Sequence, residues 1–138
     1  MNNRVLCLSN DNGLAARLGT LDGLDLKHAS PSHAQTWLES IHPDVVVLDI
    51  RDDSAALTRI EALQRWQPGV RILLIVDEQE DDQVLLRFLF AGVVGYITHL
   101  QAQRCLHTTI VALQQNQAWL PRQMVSQLID TITTLNKN

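Results

Sequence analysis

Apolar positions along the chain alternate between two patterns. Val5 to Leu8, Val45 to Leu48 and the nearly all-apolar stretch Val70 to Val76 are continuous runs, suited to strands buried on both faces. Between and after them the spacing turns helical. Ala34, Trp37, Leu38 and Ile41 fall at i, i+3, i+4 and i+7, and Val125, Leu128, Ile129 and Ile132 repeat that stripe. Leu57, Ile60, Leu63 and Trp66 supply another helical face, and Leu106, Ile110 and Leu113 a further one. Two weaker strands complete the series: Leu24 to His28, which alternates apolar and polar residues, and Val93 to Thr98.

Punctuation between the patterns agrees with them. Ser9-Asn10-Asp11-Asn12-Gly13 is a turn after the first strand (Arg4 to Leu8), and a short helix through Leu14, Ala15 and Leu18 follows, stopping near Gly19. Ser30-Pro31-Ser32 opens the second helix, Asp52 or Asp53 offers an N-cap for the third, and Gln67-Pro68-Gly69 closes that one. The acidic run Asp77 to Asp82 is a solvated loop and first helical turn, complementing the dipole of the helix that follows. That helix, Asp82 to Ala91, is apolar over most of its circumference and so offers one face to a sheet and another to a partner; Gly92 is its C′ residue. The fifth helix spans about Gln101 to Gln115, and Pro121 stands at N1 of a sixth.

Five strands alternating with helices predict an α/β fold: a doubly wound five-stranded parallel sheet in the order 2-1-3-4-5, with an extra C-terminal helix. Residues 4–117 form the sheet domain and 118–138 the linker and extra helix. In such sheets ligands gather at the carboxyl ends of the strands. Asp49 ends the central strand and is the first candidate for chemistry.

Composition narrows the classes. With 138 residues, 46% hydrophobic, 19% charged and a net charge of −4, the chain fits one ordinary globular domain and has no basic surface for nucleic acid. No apolar run is long enough to span a bilayer, and no signal-peptide core follows Arg4. Cys7 and Cys105 lack metal-ligand spacing and read as buried reduced thiols of a cytoplasmic protein, a disulfide between them being the alternative. The five histidines, His28, His33, His42, His99 and His107, show no metal-binding arrangement. A conventional enzyme is the least expected class, since the sequence has no glycine-rich phosphate loop, nucleophile elbow or dinucleotide fingerprint.

Three segments together, Pro43-Asp44-Val45-Val46-Val47-Leu48-Asp49, Ala91-Gly92-Val93-Val94-Gly95-Tyr96 and Trp119-Leu120-Pro121-Arg122, resemble the receiver domains of two-component response regulators of the LuxR/NarL type. The resemblance implies a phosphorylation switch in which an aspartate accepts a phosphoryl group from a histidine kinase. An acidic pair would hold Mg²⁺ with that aspartate, and a hydroxyl and a lysine would contact the phosphoryl group. Asp49 matches the phosphoacceptor. The acidic-pair positions fall on Ser9 and Asn10, the hydroxyl position on Val76, or on Asp77 if the loop slips by one, and the lysine position on His99. Asp11, one residue late, is expected to point elsewhere. Asp49, Asn10 and Asp11 would make a weak Mg²⁺ cage, and Asp52 or Asp53 is expected to cap the next helix in preference to replacing a ligand. His99 is either a partial stand-in for the lysine or, preferably, a polar residue closing the strand.

Phosphoryl transfer is mostly positioning and charge neutralisation, so losing these elements, each worth on the order of 3 kcal/mol, stalls it. The expected function is an atypical receiver acting through homodimerisation, with no required cofactor and with a DNA-binding domain beyond Asn138 in the full-length protein. A working receiver with a shifted metal site is the alternative. Another is cyclic di-GMP sensing through Trp119 and Arg122, since some relatives use a Trp-apolar-small polar-Arg motif there. Anchoring of the last helix by Trp119 and Leu120 is the preferred account of that motif.

Overall fold

The computed structural model describes residues 4–18, 25–51 and 53–136. Five parallel strands, β1 (Arg4–Leu8), β2 (Asp25–Ala29), β3 (Val45–Asp49), β4 (Arg71–Val76) and β5 (Gly95–Thr98), form one sheet in the order β2-β1-β3-β4-β5. The helices are α1 (Asn12–Leu18), α2 (Ala34–Ile41), α3 (Ala56–Trp66), α4 (Asp82–Phe90), α5 (His99–Gln114) and α6 (Arg122–Asn136). The predicted doubly wound order is the observed one. Gly19, Leu24 and Asp52, invoked above as a helix stop, a strand start and a cap, lie outside the described residues.

Strand pleating divides the interior into two cores. Leu6, Leu8, Val46, Leu48, Ile72, Leu74, Val76 and Tyr96 face one way, against Leu38 of α2, Ile60 and Leu63 of α3 and Leu85, Leu86 and Phe88 of α4. Val5, Cys7, Val45, Val47, Leu73, Ile75 and Ile97 face the other, against Leu14 of α1 and Leu106, Ile110 and Leu113 of α5. Period-2 alternation with both faces covered is why these strands are apolar except at their ends, where Arg4, Asp49, Arg71 and Thr98 stand. Burial, and after it the charge of Asp49, pushes the Cys7 thiol up to about 12, so it stays protonated at neutral pH. Cys105 is also free but only half-buried, at a break in α5 where its φ is −134°.

Several local expectations need correcting. Ser30 accepts from the Ser32 N–H and caps a 3-10 turn at Pro31–His33; α2 begins only after it. Asp53 is not the N-cap of α3: its carboxylate accepts from the Ala55 N–H at 2.9 Å and pairs with Arg59 at 2.7 Å, while Ala55 holds the cap position. Trp66 ends α3 beyond the core and is exposed. On α4, Phe90 points to solvent whereas Leu85, Leu86 and Phe88 are buried. The fifth strand starts at Gly95 rather than Val93, and α5 starts at His99 rather than Gln101. The C′ assignment of Gly92 holds, with φ +112°.

Pro121 is the cap of α6 rather than its first residue, its carbonyl accepting from the Met124 and Val125 N–H groups. The predicted stripe of α6 is also rotated. Met124 is the buried residue and Leu128 packs beside it, while Val125, Ile129 and Ile132 are exposed. Ahead of α6, Trp119 adds a bridge to the N-terminal end of β5: its N–H donates to the Val94 carbonyl and its carbonyl accepts from the Tyr96 N–H. Gly95 is required there, because a Cβ would collide with the Trp119 carbonyl oxygen.

Candidate functional site

Four segments meet at the carboxyl edge of the sheet: the end of β3, the turns after β1 and β4, and the start of α5. Asp49, the last residue of β3, is brought beside Ser9 by the parallel pairing of β1 with β3. Ser9 is fully buried, and its hydroxyl donates to Asp49 Oδ2 at 2.7 Å while accepting the Asp11 N–H at 3.0 Å. The chain then turns at Ile50, and Arg51 folds its side chain back over the strand end. Its Nε donates to Asp49 Oδ1 at 2.9 Å and its Nη2 to Asp49 Oδ2 at 2.7 Å, a fork-to-carboxylate pair. The same Nη2 reaches Asp11 Oδ2 at 2.8 Å. The Arg51 N–H adds a further bond to Asp49 Oδ1 at 3.2 Å.

Asp11 is therefore part of the site, against the expectation that it points away. One of its oxygens accepts from the Gly13 and Leu14 N–H groups at the start of α1, and the other takes Arg51. The outlier is Asn10, whose amide oxygen accepts from the Ser30 hydroxyl at 2.9 Å and so turns toward the loop after β2. His99 does not simply close a strand. Thr98 ends β5 and caps α5, placing His99 in the first turn with Nε2 3.6 Å from Asp11 Oδ2. Val76 is buried at the end of β4, paired with Thr98, and brings no hydroxyl to the site.

The charges within the cluster are coupled, two carboxylates to one guanidinium. Burial alone would raise the Asp49 carboxyl, but the bonds from Arg51 and Ser9 outweigh it and hold the group below the usual carboxylate range. The Arg51 hydrogen bond, joined by the Leu14 and Gly13 amides, lowers Asp11 to about 2. Arg51 is raised in return, chiefly by Asp49. At neutral pH two carboxylates thus share one guanidinium.

This arrangement does not fit a divalent cation. Mg²⁺ demands near-octahedral oxygen ligands at roughly 2.0–2.1 Å, and the space between Asp49 and Asp11 is filled by a guanidinium within hydrogen-bond distance of both. Asn10, the remaining ligand candidate, is engaged by Ser30. Among the described residues no group of three or more His, Cys, Asp or Glu side chains is placed to hold a metal ion. Arg51 is the residue that sequence reasoning missed. Its one signal was its position, a cation two residues beyond a carboxylate at a strand end.

No protein-family model matches the sequence, and neither does any curated protein. Solved structures do match along most of the chain. The isolated receiver domain of RcsB from Salmonella enterica serovar Typhimurium, in the apo form, superposes with a TM-score of 0.77 at 17% identity, covering 92% of this chain and 98% of that one. A LuxR-family two-component response regulator from an Aurantimonas species gives 0.74 at 17% identity, covering 94% and 97%. The non-phosphorylated receiver domain of the stress response regulator RcsB from Escherichia coli gives 0.73 at 17%, covering 88% and 100%. The chain has the receiver-domain fold. Among the described residues β1 to β5 and α1 to α5 are all in place around Asp49, and the cluster at the sheet's edge is closed by Arg51.

The other candidate positions lie far from this edge. Trp119 packs against the α1/α5 core at the opposite end of β5. Arg122 is exposed in the first turn of α6 beside Pro121, Gln123 and Ser126, in a shallow open depression.

Proposed function

We propose that the chain is an atypical receiver module of a LuxR/NarL-type transcriptional regulator, one that transmits its signal by association between copies and not by an aspartyl-phosphate cycle. The observation that carries this reading is the Arg51 fork on Asp49 and Asp11. An incoming phosphoryl donor needs a free carboxylate oxygen and a cation to offset charge on the transferred group. Here both Asp49 oxygens accept hydrogen bonds. The local cation is organic, fixed and shared between two carboxylates, one positive charge against two negative, so none of its charge is left for a third anion. Val76 and His99 supply neither the hydroxyl nor a permanent ammonium. The module itself catalyses no reaction, and a DNA-binding domain belongs to the full-length protein on this reading; a histidine kinase partner belongs to the phosphorylatable alternative.

Incubation with acetyl phosphate and Mg²⁺, followed by intact-mass measurement, tests it. The expected result is no phosphoryl adduct on the wild-type protein. An adduct that forms readily and disappears in Asp49→Asn would overturn the proposal and restore the phosphorylatable receiver.

A further inference from the structure

Helix α6 carries a second apolar face that its own domain leaves open. Met124 is buried and Leu128 half-buried against the α4 side of the core, and Gln127 bonds Asp82, the first residue of α4, at 2.9 Å. The helix then continues to Asn136. Val125, Ile129, Ile132 and Leu135 are 38%, 56%, 42% and 60% exposed, more than half of the large exposed apolar residues among those described. Scattered exposed leucines need no explanation, but a stripe along one helix does.

We propose that this face docks the α6 of a second copy of this chain, the two helices running parallel. The spacing argues for that occupant. Val125, Leu128, Ile132 and Leu135 stand 3, 4 and 3 residues apart, an a-d-a-d seam of two heptads in which Val125, Ile132 and Leu135 are exposed and Leu128, half-buried, marks the edge where the seam meets its own domain. Both a positions are β-branched and both d positions are leucine, the combination that favours parallel two-stranded pairing over higher orders. Of the flanking positions, Met124 is buried in its own domain, and Ile129, Thr131 and Asn136 carry no charge, so identical helices meet without like-charge repulsion. The charged Asp130 falls at the outer f position. A heterologous partner would be expected to answer a charged rim, which this face lacks. Ile129 at the e position widens the apolar strip beside the seam.

Two heptads make a small interface, so the dimer is weak and concentration-dependent. The inference rests on the reading of the chain as a receiver acting by association, and supplies the surface for it. Sedimentation equilibrium across roughly 5–500 µM, where small interfaces associate, tests it with the 138-residue chain. The wild type should move from monomer toward dimer mass. Ile132→Glu, an exposed site whose folding is checked by circular dichroism, should remain monomeric at least tenfold higher in concentration. Leu100→Glu, an equally exposed residue on α5, should match the wild type. With Cys105→Ser as background, Leu135→Cys should form an interchain disulfide under mild oxidation, since parallel register sets position 135 opposite itself. A wild type monomeric throughout, a dimer indifferent to Ile132→Glu, or failure of the position-135 crosslink overturns the α6 pairing. None of these outcomes bears on Asp49, whose labelling by acetyl phosphate is the separate failure of the function reading.

Discussion

At the scale of single residues, Arg51 decides what the site is. Its guanidinium holds two carboxylates, and one of them, Asp49, has a side chain only 7% exposed. Removing one partner of a fully buried pair costs about 3–5 kcal/mol; Arg51 is partly solvated, so Arg51→Ala should cost about 2–3 kcal/mol, read from the urea midpoint. The pH dependence has a definite sign. Both carboxyls titrate below their ordinary values in the folded state, Asp11 at about 2 against 3.8. Their stabilising contribution is therefore complete above about pH 4 and is lost as pH falls toward 2. In Arg51→Ala that loss should shrink. The same variant leaves two facing carboxylates and Ser9, a plausible oxygen site, so it should gain a Mg²⁺-dependent rise in melting temperature that the wild type lacks. Equal Mg²⁺ responses in the two proteins would contradict the account of Arg51 as the resident cation. Asp49 was legible from its strand end alone. The Arg51 closure was not, because the side chain folds back across a turn, and sequence spacing does not encode that return. Asp11 escaped for a related reason: its place depends on amides of α1 and on Arg51, not on the register of β1.

At the scale of elements, the helix termini around the site do more than their sequence patterns showed. The acidic run was expected to serve one helix, and it serves two. Asp81 caps α4 by accepting from the Gln83 N–H at 2.7 Å, while Glu78 reaches across to the Leu100 N–H of α5 at 3.0 Å. Thr98 and Gln101 form a reciprocal capping box on α5, which is why that helix starts at His99 and brings its imidazole toward Asp11. Thr98→Ala should cost about 1 kcal/mol in chemical denaturation. It should also loosen His99, seen at fixed pH as a change in the NMR shifts of its ring beyond what stability alone gives. No such change would mean that the box stabilises α5 without positioning His99. A Thr-x-x-Gln pair is close to a capping signature and was readable; the assignment of Val93 to Thr98 as strand hid it. The amphipathic stripes of α2, α3 and α5 were readable because their burial is set by the sheet. That of α6 was not, since a helix docked on another helix buries whichever face the partner reaches.

At the scale of the whole molecule, the question is how far α6 belongs to the receiver fold that precedes it. The backbone bonds of Trp119 to β5 and the burial of Met124 tie its first half to the main core, so residues 118–128 should unfold with the sheet. Residues 133–136 are exposed on every side and have only their own helical hydrogen bonds. An isolated terminal helical turn of this kind is marginal in water. Hydrogen exchange on dilute protein should therefore divide α6. Amides up to about Leu128 should approach the protection of β3 and β4, while those beyond Thr131 should exchange near the rate of fraying ends. Raising the concentration into the dimeric range should slow exchange chiefly in the second half, whose seam residues Ile132 and Leu135 have no cover from their own domain, and not in the sheet, where pairing adds no contacts. Uniform protection along α6 at low concentration would show that the helix needs no second copy. Uniform lack of protection would show that Met124 does not bind α6 to the core. The predicted gradient is what a helix shared between its own domain and another copy must show.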